Sequence, residues 1–176
     1  MEIPTLETHR LTLRPLVDAD AAALFELSQD PEVMRFIGDR HIPSMEDCWR
    51  AVAAWIGHWH LRGYGVFAVE ERASGRFIGR AGLWYPHGWP APELGYLFGR
   101  AWWGRGYATE AAGAALDWAF QHVAAQDEWI SLIDPDNAGS IRVATKLGET
   151  LRGETTFREH RVLVYGIDRA TWANRR

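Results

Sequence analysis

The stretch ELGYLFGRAWWGRGYATEAAGAALDWAF (residues 93–120) decides the fold of this chain. Residues 93–99 have the composition of a strand, and the alanine-rich end of the stretch repeats small and apolar residues at helical spacing. The two glycines of WGRGYA, at positions 103–108, leave the connecting backbone uncovered, so that successive N–H groups can converge on an anion. Arg105 adds a full positive charge, and the first turn of the helix adds its dipole. The turn is therefore either a phosphate cradle or an ordinary strand-to-helix turn.

The helix after this turn has one face of small and apolar residues that can pack closely on a sheet. Its members are Ala108, Ala111, Ala112, Ala115, Leu116, Ala119 and Phe120. A short buried strand at residues 129–133 follows, which predicts a strand-helix-strand unit at the centre of the fold. Asp136 or Asn137 is expected to cap a further helix that stops at Gly148, and residues 155–157 and 162–167 to form a terminal hairpin.

The residues before the stretch predict further strands and two helices. The alternating sequence RLTLRPL (residues 10–16) indicates a first strand, and Asp18 is a plausible N-cap of a short helix after it. Ser44 with Asp47 resembles a capping box, which predicts that a longer helix begins there.

A change to two-residue periodicity then predicts a hairpin, with strands at residues 65–70 and 76–84. The segment 85–92 is rich in residues that break strands, and we expect a loop there. The order of elements predicts a mixed α/β (α+β) protein with a mostly antiparallel central sheet of about seven strands and flanking helices.

Composition limits the class of protein. A length of 176 residues predicts one domain, residues 1–176, and ten tryptophans and seven phenylalanines supply enough apolar surface for a core. The single cysteine, Cys48, excludes an internal disulfide and a cysteine-rich metal site, and favours a reducing compartment. Without a signal or membrane-spanning pattern, and with a net charge of -4, we expect a cytoplasmic protein that binds neither membrane nor nucleic acid.

The chain resembles the GNAT N-acetyltransferase superfamily, and most closely the branch that contains the ribosomal-protein N-terminal acetyltransferases. The matching segments, in chain order, are RLTLRPL (10–16) with Asp20, ELGYLF (93–98), WGRGYATE (103–110), DPDNAGS (134–140) and KLG (146–148). Each motif alone is weak, but together they extend over roughly residues 9–167 in the expected order.

The resemblance implies acetyl-CoA as the acetyl donor, an amine as the acceptor and no metal. It implies that the strand at residues 93–99 splays from its neighbour, so that unpaired backbone groups of Leu97, Phe98 and Gly99 hold the pantetheine arm. The family's phosphate-binding signature falls on Trp103, Gly104, Arg105, Gly106, Tyr107 and Ala108, and Thr109 extends it into the helix. Gly106 and Ala108 match this signature, whereas Trp103 replaces its usual polar residue.

Asn137 matches the family's asparagine that contacts the pantetheine arm, although an asparagine here also serves as a plain helix cap. Many relatives carry a tyrosine seven residues later that protonates the departing thiolate, and this chain has Ala144 there. Ser140 or a water is then the candidate general acid.

Glu93 is the candidate general base, because an ordinary amine is mostly protonated at neutral pH and must lose a proton before it attacks. The alternative is a surface glutamate at a strand end. The backbone N–H of Phe98 is a candidate donor to the oxyanion. His87, in the loop at 85–92, is either an alternative base or a solvated histidine.

Five tryptophans have two readings each. Trp102 and Trp103 either cover the cofactor or pack in the core. Trp49, Trp55 and Trp59 on the predicted long helix line an acceptor groove or a face that a homodimer could use, although packing is the commoner use of such residues.

The glycine turn at residues 103–108 does not match two other nucleotide-binding motifs. A dinucleotide-binding turn needs a third glycine where this chain has Thr109, and a P-loop needs a lysine that this turn lacks. A domain that binds acyl-CoA as a sensor without transfer is the main competing function. Among acceptors, a protein N-terminus and a small-molecule amine both remain open, although residues 85–92 contain too few acidic side chains for a strongly cationic polyamine.

Overall fold

Eight strands form one open sheet in the order β1-β2-β3-β4-β5-β6-β8-β7. The structure is a computed structural model that describes residues 2–175. The strands are β1 (Leu6–Glu7), β2 (Leu11–Arg14), β3 (Val66–Glu71), β4 (Arg76–Trp84), β5 (Glu93–Phe98), β6 (Glu128–Ile133), β7 (Thr150–Phe157) and β8 (His160–Asp168). Neighbouring strands are antiparallel except for β5 and β6, which are parallel.

Six helices flank this sheet in the described part of the chain. They are α1 (Asp20–Ser28), α2 (Pro31–Met34), α3 (Met45–Arg62), α4 (Tyr107–His122), α5 (Ala138–Leu147) and α6 (Arg169–Ala173). A short 3-10 turn, Arg100–Trp102, joins β5 to the glycine turn before α4.

The predicted fold class is confirmed, with eight strands in place of about seven. The additional strand, β1, has two residues, which is too short for a two-residue period to be visible in the sequence. The helices α2 and α6 were also missed, because four and five residues give no helical periodicity. The terminal hairpin is longer than predicted, since the mostly exposed and polar residues of β7 carry little hydrophobic pattern.

The predicted helix ends are confirmed in three places. Ser44 and Asp47 form a complete capping box at the start of α3, Asn137 caps α5, and Gly148 ends it with a φ of 78°. The prediction that Asp18 caps α1 is wrong, because the N-cap is Ala19 without a side-chain bond. The Asp18 carboxylate instead accepts a hydrogen bond of 2.8 Å from the Trp49 indole.

The two faces of the sheet bury separate clusters. On one face α4 packs through the alanines at positions 111, 112, 115 and 119, all without exposure, as the sequence predicts. On the other face Val52 of α3 and Leu24 of α1 pack against Ala68 and Leu97. The core therefore holds β4 and β5 from both sides.

The close approach of β4 to β5 requires a glycine at position 79. An ideal Cβ there would collide with the carbonyl oxygen of Leu97 and would lie 2.9 Å from the Cα of Phe98. Both neighbours are backbone atoms, so they cannot move aside without separating the strands.

We predict that Gly79→Ala lowers the free energy of unfolding by about 1–3 kcal/mol, because the new methyl group overpacks the β4–β5 pair. The matched control is Gly57→Ala in the interior of α3, where a Cβ meets no atom within 4 Å. That substitution should raise the free energy of unfolding by about 0.5–1 kcal/mol. Urea denaturation measures both, and an unchanged midpoint for Gly79→Ala would contradict the role assigned to this contact.

Candidate active site

The parallel strands β5 and β6 touch at one end and then separate. They share one register pair, Glu93 with Ile130, and the Ile130 amide donates a 2.9 Å hydrogen bond to the carbonyl of Pro92. The Ser131 hydroxyl reaches the Leu94 carbonyl at 3.3 Å. Beyond this point no pair joins the two strands in the described structure, which is the splayed arrangement that the family resemblance implies.

Two cavities open along the separated strand. The first, which we name the turn groove, has a volume of about 550 Å³ and runs from Phe98 along the glycine turn and the starts of α4 and α5. The second, which we name the inner cavity, has about 420 Å³ and lies between α3, β4, β5 and β6. Tyr96, Leu97, Asn137 and Ser140 line both, so the two cavities meet at β5.

The glycine turn has the backbone geometry of an anion site. Gly104 and Gly106 have φ values of 73° and 83°, in the left-handed region that favours glycine. Gly106 is the N-cap of α4 and provides no side-chain hydrogen bond, so the first-turn N–H groups of the helix lack a side-chain cap. Ala108 and Thr109 in that turn line the groove. An anion at the end of this 16-residue helix can satisfy these groups.

A network from the start of the chain holds the turn in place. Arg10 donates a 2.9 Å hydrogen bond to the carbonyl of Arg105 and forms a 2.7 Å ion pair with Glu110. Its guanidinium also lies 4.4 Å from the ring centroid of Tyr107. The Tyr107 ring is buried and its hydroxyl donates to Glu71 at 2.6 Å, so only the backbone of Tyr107 can face a ligand.

The backbone prediction for β5 needs a correction. The Gly99 amide donates to the Ile78 carbonyl at 3.0 Å, and Leu97 lies opposite Arg80 in the same antiparallel ladder. Since hydrogen-bonded pairs alternate in such a ladder, the N–H and C=O groups of Leu97 face β4. The Gly99 carbonyl accepts a 3.0 Å hydrogen bond from the Trp102 amide, so neither residue supplies the unpaired groups. Of the three predicted residues, only Phe98 directs its backbone groups to the open side.

Trp103 forms a hydrogen bond with one of the two backbone groups of Phe98 that face the open side. Its indole donates a 2.7 Å hydrogen bond to the Phe98 carbonyl, while the ring stays 47% exposed beside the turn groove. The Phe98 N–H then remains as the donor that points into the opening. Trp102 also lines the groove and packs against the core cluster on that face of the sheet.

Asn137 is a helix cap and also lines the point where the cavities meet. Its side-chain oxygen accepts a 3.0 Å hydrogen bond from the Ser140 amide. The carboxamide nitrogen is therefore the part of Asn137 that can reach a ligand. Ala144 is fully buried in α5, and its methyl side chain cannot donate a proton.

Glu93 lies in the inner cavity, at the last contact of β5 with β6. Burial raises the pKa of its carboxyl to about 7. The Trp89 indole donates a 2.6 Å hydrogen bond to it, and the backbone at Leu132 and the charge of Arg80 also favour its ionised form. The carboxylate can therefore accept and release a proton near neutral pH.

The structure adds Tyr96, which the sequence analysis did not single out. Its hydroxyl lies 3.4 Å from the Ser140 carbonyl oxygen, where the two cavities meet, and burial raises its pKa. The phenol thus stays protonated at neutral pH and can donate a proton. An alternation pattern with Leu94 and Phe98 makes Tyr96 look like a core residue in the sequence.

Arg80 is the second missed residue. It lines the inner cavity, and its guanidinium lies 4.6 Å from the ring centroid of Trp55. Burial lowers its pKa to about 10, with the charge of Glu93 acting in the opposite direction. An arginine between Gly79 and Gly82, in the apolar part of β4, was the available signal.

The remaining candidates lie in different places. His87 is exposed and lines neither cavity, so its position gives no support to a role as base. Trp59 is in the core with 1% exposure, whereas Trp55 lines the inner cavity and Trp49 is half exposed. Residues 2–175 contain no cluster of three metal-ligating side chains, and none of their helices is long and apolar enough to span a membrane.

Comparisons with known proteins agree with this architecture. A family model described as an acetyltransferase (GNAT) domain matches residues 10–150. The uncharacterized protein YkkB of Bacillus subtilis is 39% identical over 152 residues, which cover 81% of this chain and 83% of that protein.

Two solved structures extend the comparison. An acetyltransferase from Agrobacterium tumefaciens is 33% identical, with a TM-score of 0.82 and 95% of each chain covered. RimL, a ribosomal L7/L12 alpha-N-protein acetyltransferase in complex with coenzyme A, shares the fold at 20% identity, with a TM-score of 0.77 over 94% of this chain and 98% of that chain. The protein therefore belongs to the GNAT family and is an acetyltransferase.

Proposed function

We propose that the protein is an acetyl-CoA-dependent N-acetyltransferase that transfers the acetyl group to a primary amine by direct attack in a ternary complex. The observation that carries the proposal is the meeting of the turn groove and the inner cavity at β5. One cavity carries an anion-binding turn and the other a carboxylate with a pKa near 7. Two reactants held on either side of the strand would face each other there.

The turn groove fits acetyl-CoA. Phosphate groups would lie on the N–H groups of Gly106, Tyr107, Ala108 and Thr109, close to the cationic side chain of Arg105. The tryptophans at 102 and 103 would flank the groove, and the carboxamide of Asn137 would assist. The bound molecule would supply a thioester, whose carbonyl carbon is open to attack by an amine.

Three groups of the chain would then accept a proton, stabilise the developing negative charge and donate a proton. Glu93 would take the proton from the acceptor amine, directly or through a water. The Phe98 N–H, on the open side of β5, would stabilise the negative charge that develops on the carbonyl oxygen. Tyr96 would donate a proton to the departing thiolate, and Ser140, the candidate from the sequence, lies beside it as the alternative donor.

Calorimetric titration with acetyl-CoA tests the donor site. Gly106→Glu should abolish binding, because it places bulk and negative charge in the phosphate cradle. The matched control is Gly75→Glu in the β3–β4 turn, where the glycine also has a positive φ of 66° and a Cβ meets no atom within 4 Å. Equal dissociation constants for both variants and the parent protein would contradict the cradle.

The pH profile tests Glu93. Because burial raises its pKa to about 7, kcat/KM should rise as the pH increases through that value and the carboxyl loses its proton. Glu93→Gln should lower kcat/KM by about 10²–10⁴-fold and remove this step. Glu128→Gln, an exposed carboxylate on β6, should leave the profile unchanged. A Glu93→Gln enzyme with the parent's profile would exclude Glu93 as the base.

Paired substitutions identify the proton donor. Tyr96→Phe should lower kcat by about 100-fold with little change in KM for acetyl-CoA, because the phenol acts only as the thiolate leaves. Tyr165→Phe on β8 provides the control, since that residue lines neither cavity. A loss for Ser140→Ala together with full activity for Tyr96→Phe would assign the role to Ser140.

The release of free CoA that depends on an added amine separates this enzyme from a domain that only senses acyl-CoA. Tight binding of acetyl-CoA with no release in the presence of any amine would favour the sensor. A cytoplasmic location and a homodimer remain predictions from the sequence.

A further inference from the structure

The inner cavity contains a partly buried cation without an ion-pair partner. The Arg80 guanidinium stacks on Trp55 at 4.6 Å, its Nε atom is buried with no hydrogen-bond partner, and it forms no ion pair within residues 2–175. The other arginines that line this cavity do have carboxylate partners: Arg40 pairs with Asp134, and Arg158 pairs with Asp39 at 3.3 Å. Arg80 is therefore the cation of this cavity that is open to an anion.

A charge that is partly withdrawn from water is costly unless an opposite charge and hydrogen bonds compensate it. Glu93 influences Arg80 electrostatically but forms no ion pair with it. Its carboxylate instead accepts a 2.6 Å hydrogen bond from the Trp89 indole. A ligand anion would supply the missing compensation for Arg80.

The spacing along β5 places Arg80 close to Glu93 without contact. Arg80 lies opposite Leu97 in the β4–β5 ladder, and its Nη1 passes 3.9 Å from the position that a Cβ on Gly95 would occupy. Gly95 is two residues from Glu93, which corresponds to about 6.6 Å along a strand. The cation and the carboxylate thus line the same cavity without forming an ion pair.

We propose that the acetyl acceptor is a free α-amino acid with a large apolar side chain, whose carboxylate binds Arg80 while its amine faces Glu93. This inference rests on the proposed function and names the class of its substrate. A planar carboxylate matches the guanidinium fork in a bidentate pair, and an α-amino acid carries its amine beside that carboxylate.

The aromatic walls of the inner cavity favour an apolar side chain on the amino acid. Trp84, Trp89, Phe36 and Phe157 line it, so an aromatic or aliphatic side chain would bury its surface there. A volume of about 420 Å³ is near the lower end for small-molecule sites and suits one amino acid. A peptide N-terminus has an amide where the amino acid has its carboxylate and would leave Arg80 without an anion.

The reaction balances with these groups alone. The ammonium of the amino acid gives a proton to Glu93, and the free amine attacks the thioester carbonyl carbon. A C–N bond forms and the C–S bond breaks, and the sulfur leaves with the electron pair. The sulfur receives a proton from Tyr96, and the second proton that the nitrogen loses as it becomes an amide replaces it. The products are an N-acetyl amino acid and CoA.

Matched acceptors test the role of the carboxylate. CoA release is measured with L-phenylalanine, with phenethylamine, which lacks the carboxylate, and with L-phenylalaninamide, which replaces it by an uncharged amide. We expect kcat/KM to favour L-phenylalanine over both by about 100-fold or more. In Arg80→Met this preference should fall to within about 10-fold, because the partner of the carboxylate is gone.

Arg76→Met is the matched control, since Arg76 is also on β4 and lies 5.6 Å from the ring centroid of Trp102 but does not line the inner cavity. It should keep the full preference for L-phenylalanine. If Arg80→Met does not fold, Arg80→Lys takes its place, and it should reduce the preference because a lysine cannot form the bidentate pair.

The outcomes separate this inference from the proposed function. Equal or better transfer to phenethylamine or to L-phenylalaninamide would overturn the inference and leave the N-acetyltransferase intact. If acetyl-CoA binds and no amine releases CoA, the proposed function fails, and calorimetry with L-phenylalanine then decides the role of Arg80. Binding by the parent protein that Arg80→Met abolishes would support an amino acid site, and no binding to the parent would overturn it.

Discussion

The separation of β5 from β6 after a single register pair is the constraint on which the rest of the structure depends. A continuous parallel ladder would use the backbone groups of Tyr96 and Phe98 for pairing with β6. Because the strands diverge after Glu93, those groups do not pair with β6, and the two cavities meet beside them. The core clusters on both faces of the sheet hold β5 in this position, and the glycine at 79 lets β4 approach it closely.

The opposite ends of the chain contribute to this arrangement. Arg10, just before β2, forms an ion pair with Glu110 in α4 and donates to the backbone of the glycine turn. The turn keeps its left-handed glycine conformations while its first-turn N–H groups lack a side-chain cap. A site for a phosphate is thus prepared by contacts about a hundred residues apart in sequence, and its preorganisation reduces the cost of binding.

Burial has opposite effects on the two charged groups of the inner cavity. It raises the pKa of Glu93 to about 7 and lowers that of Arg80 to about 10, since each charged form loses hydration. Glu93 is brought into the range where a general base works at neutral pH, whereas Arg80 keeps its proton there. The same desolvation therefore suits a proton acceptor at one place and an anion-binding cation at the other.

The sequence by itself determined the features that depend on neighbouring residues. The capping box at Ser44, the glycine turn at 104–106 and the alanine face of α4 follow from local conformational preferences and helical periodicity, and the motifs along the chain indicated the family. Only the tertiary structure decided the rest. Which groups of β5 are unpaired depends on its register with β4, which corrected Leu97 and Gly99. The roles of Tyr96 and Arg80 arise because strands and helices distant in sequence enclose them, and burial of that kind leaves no local pattern.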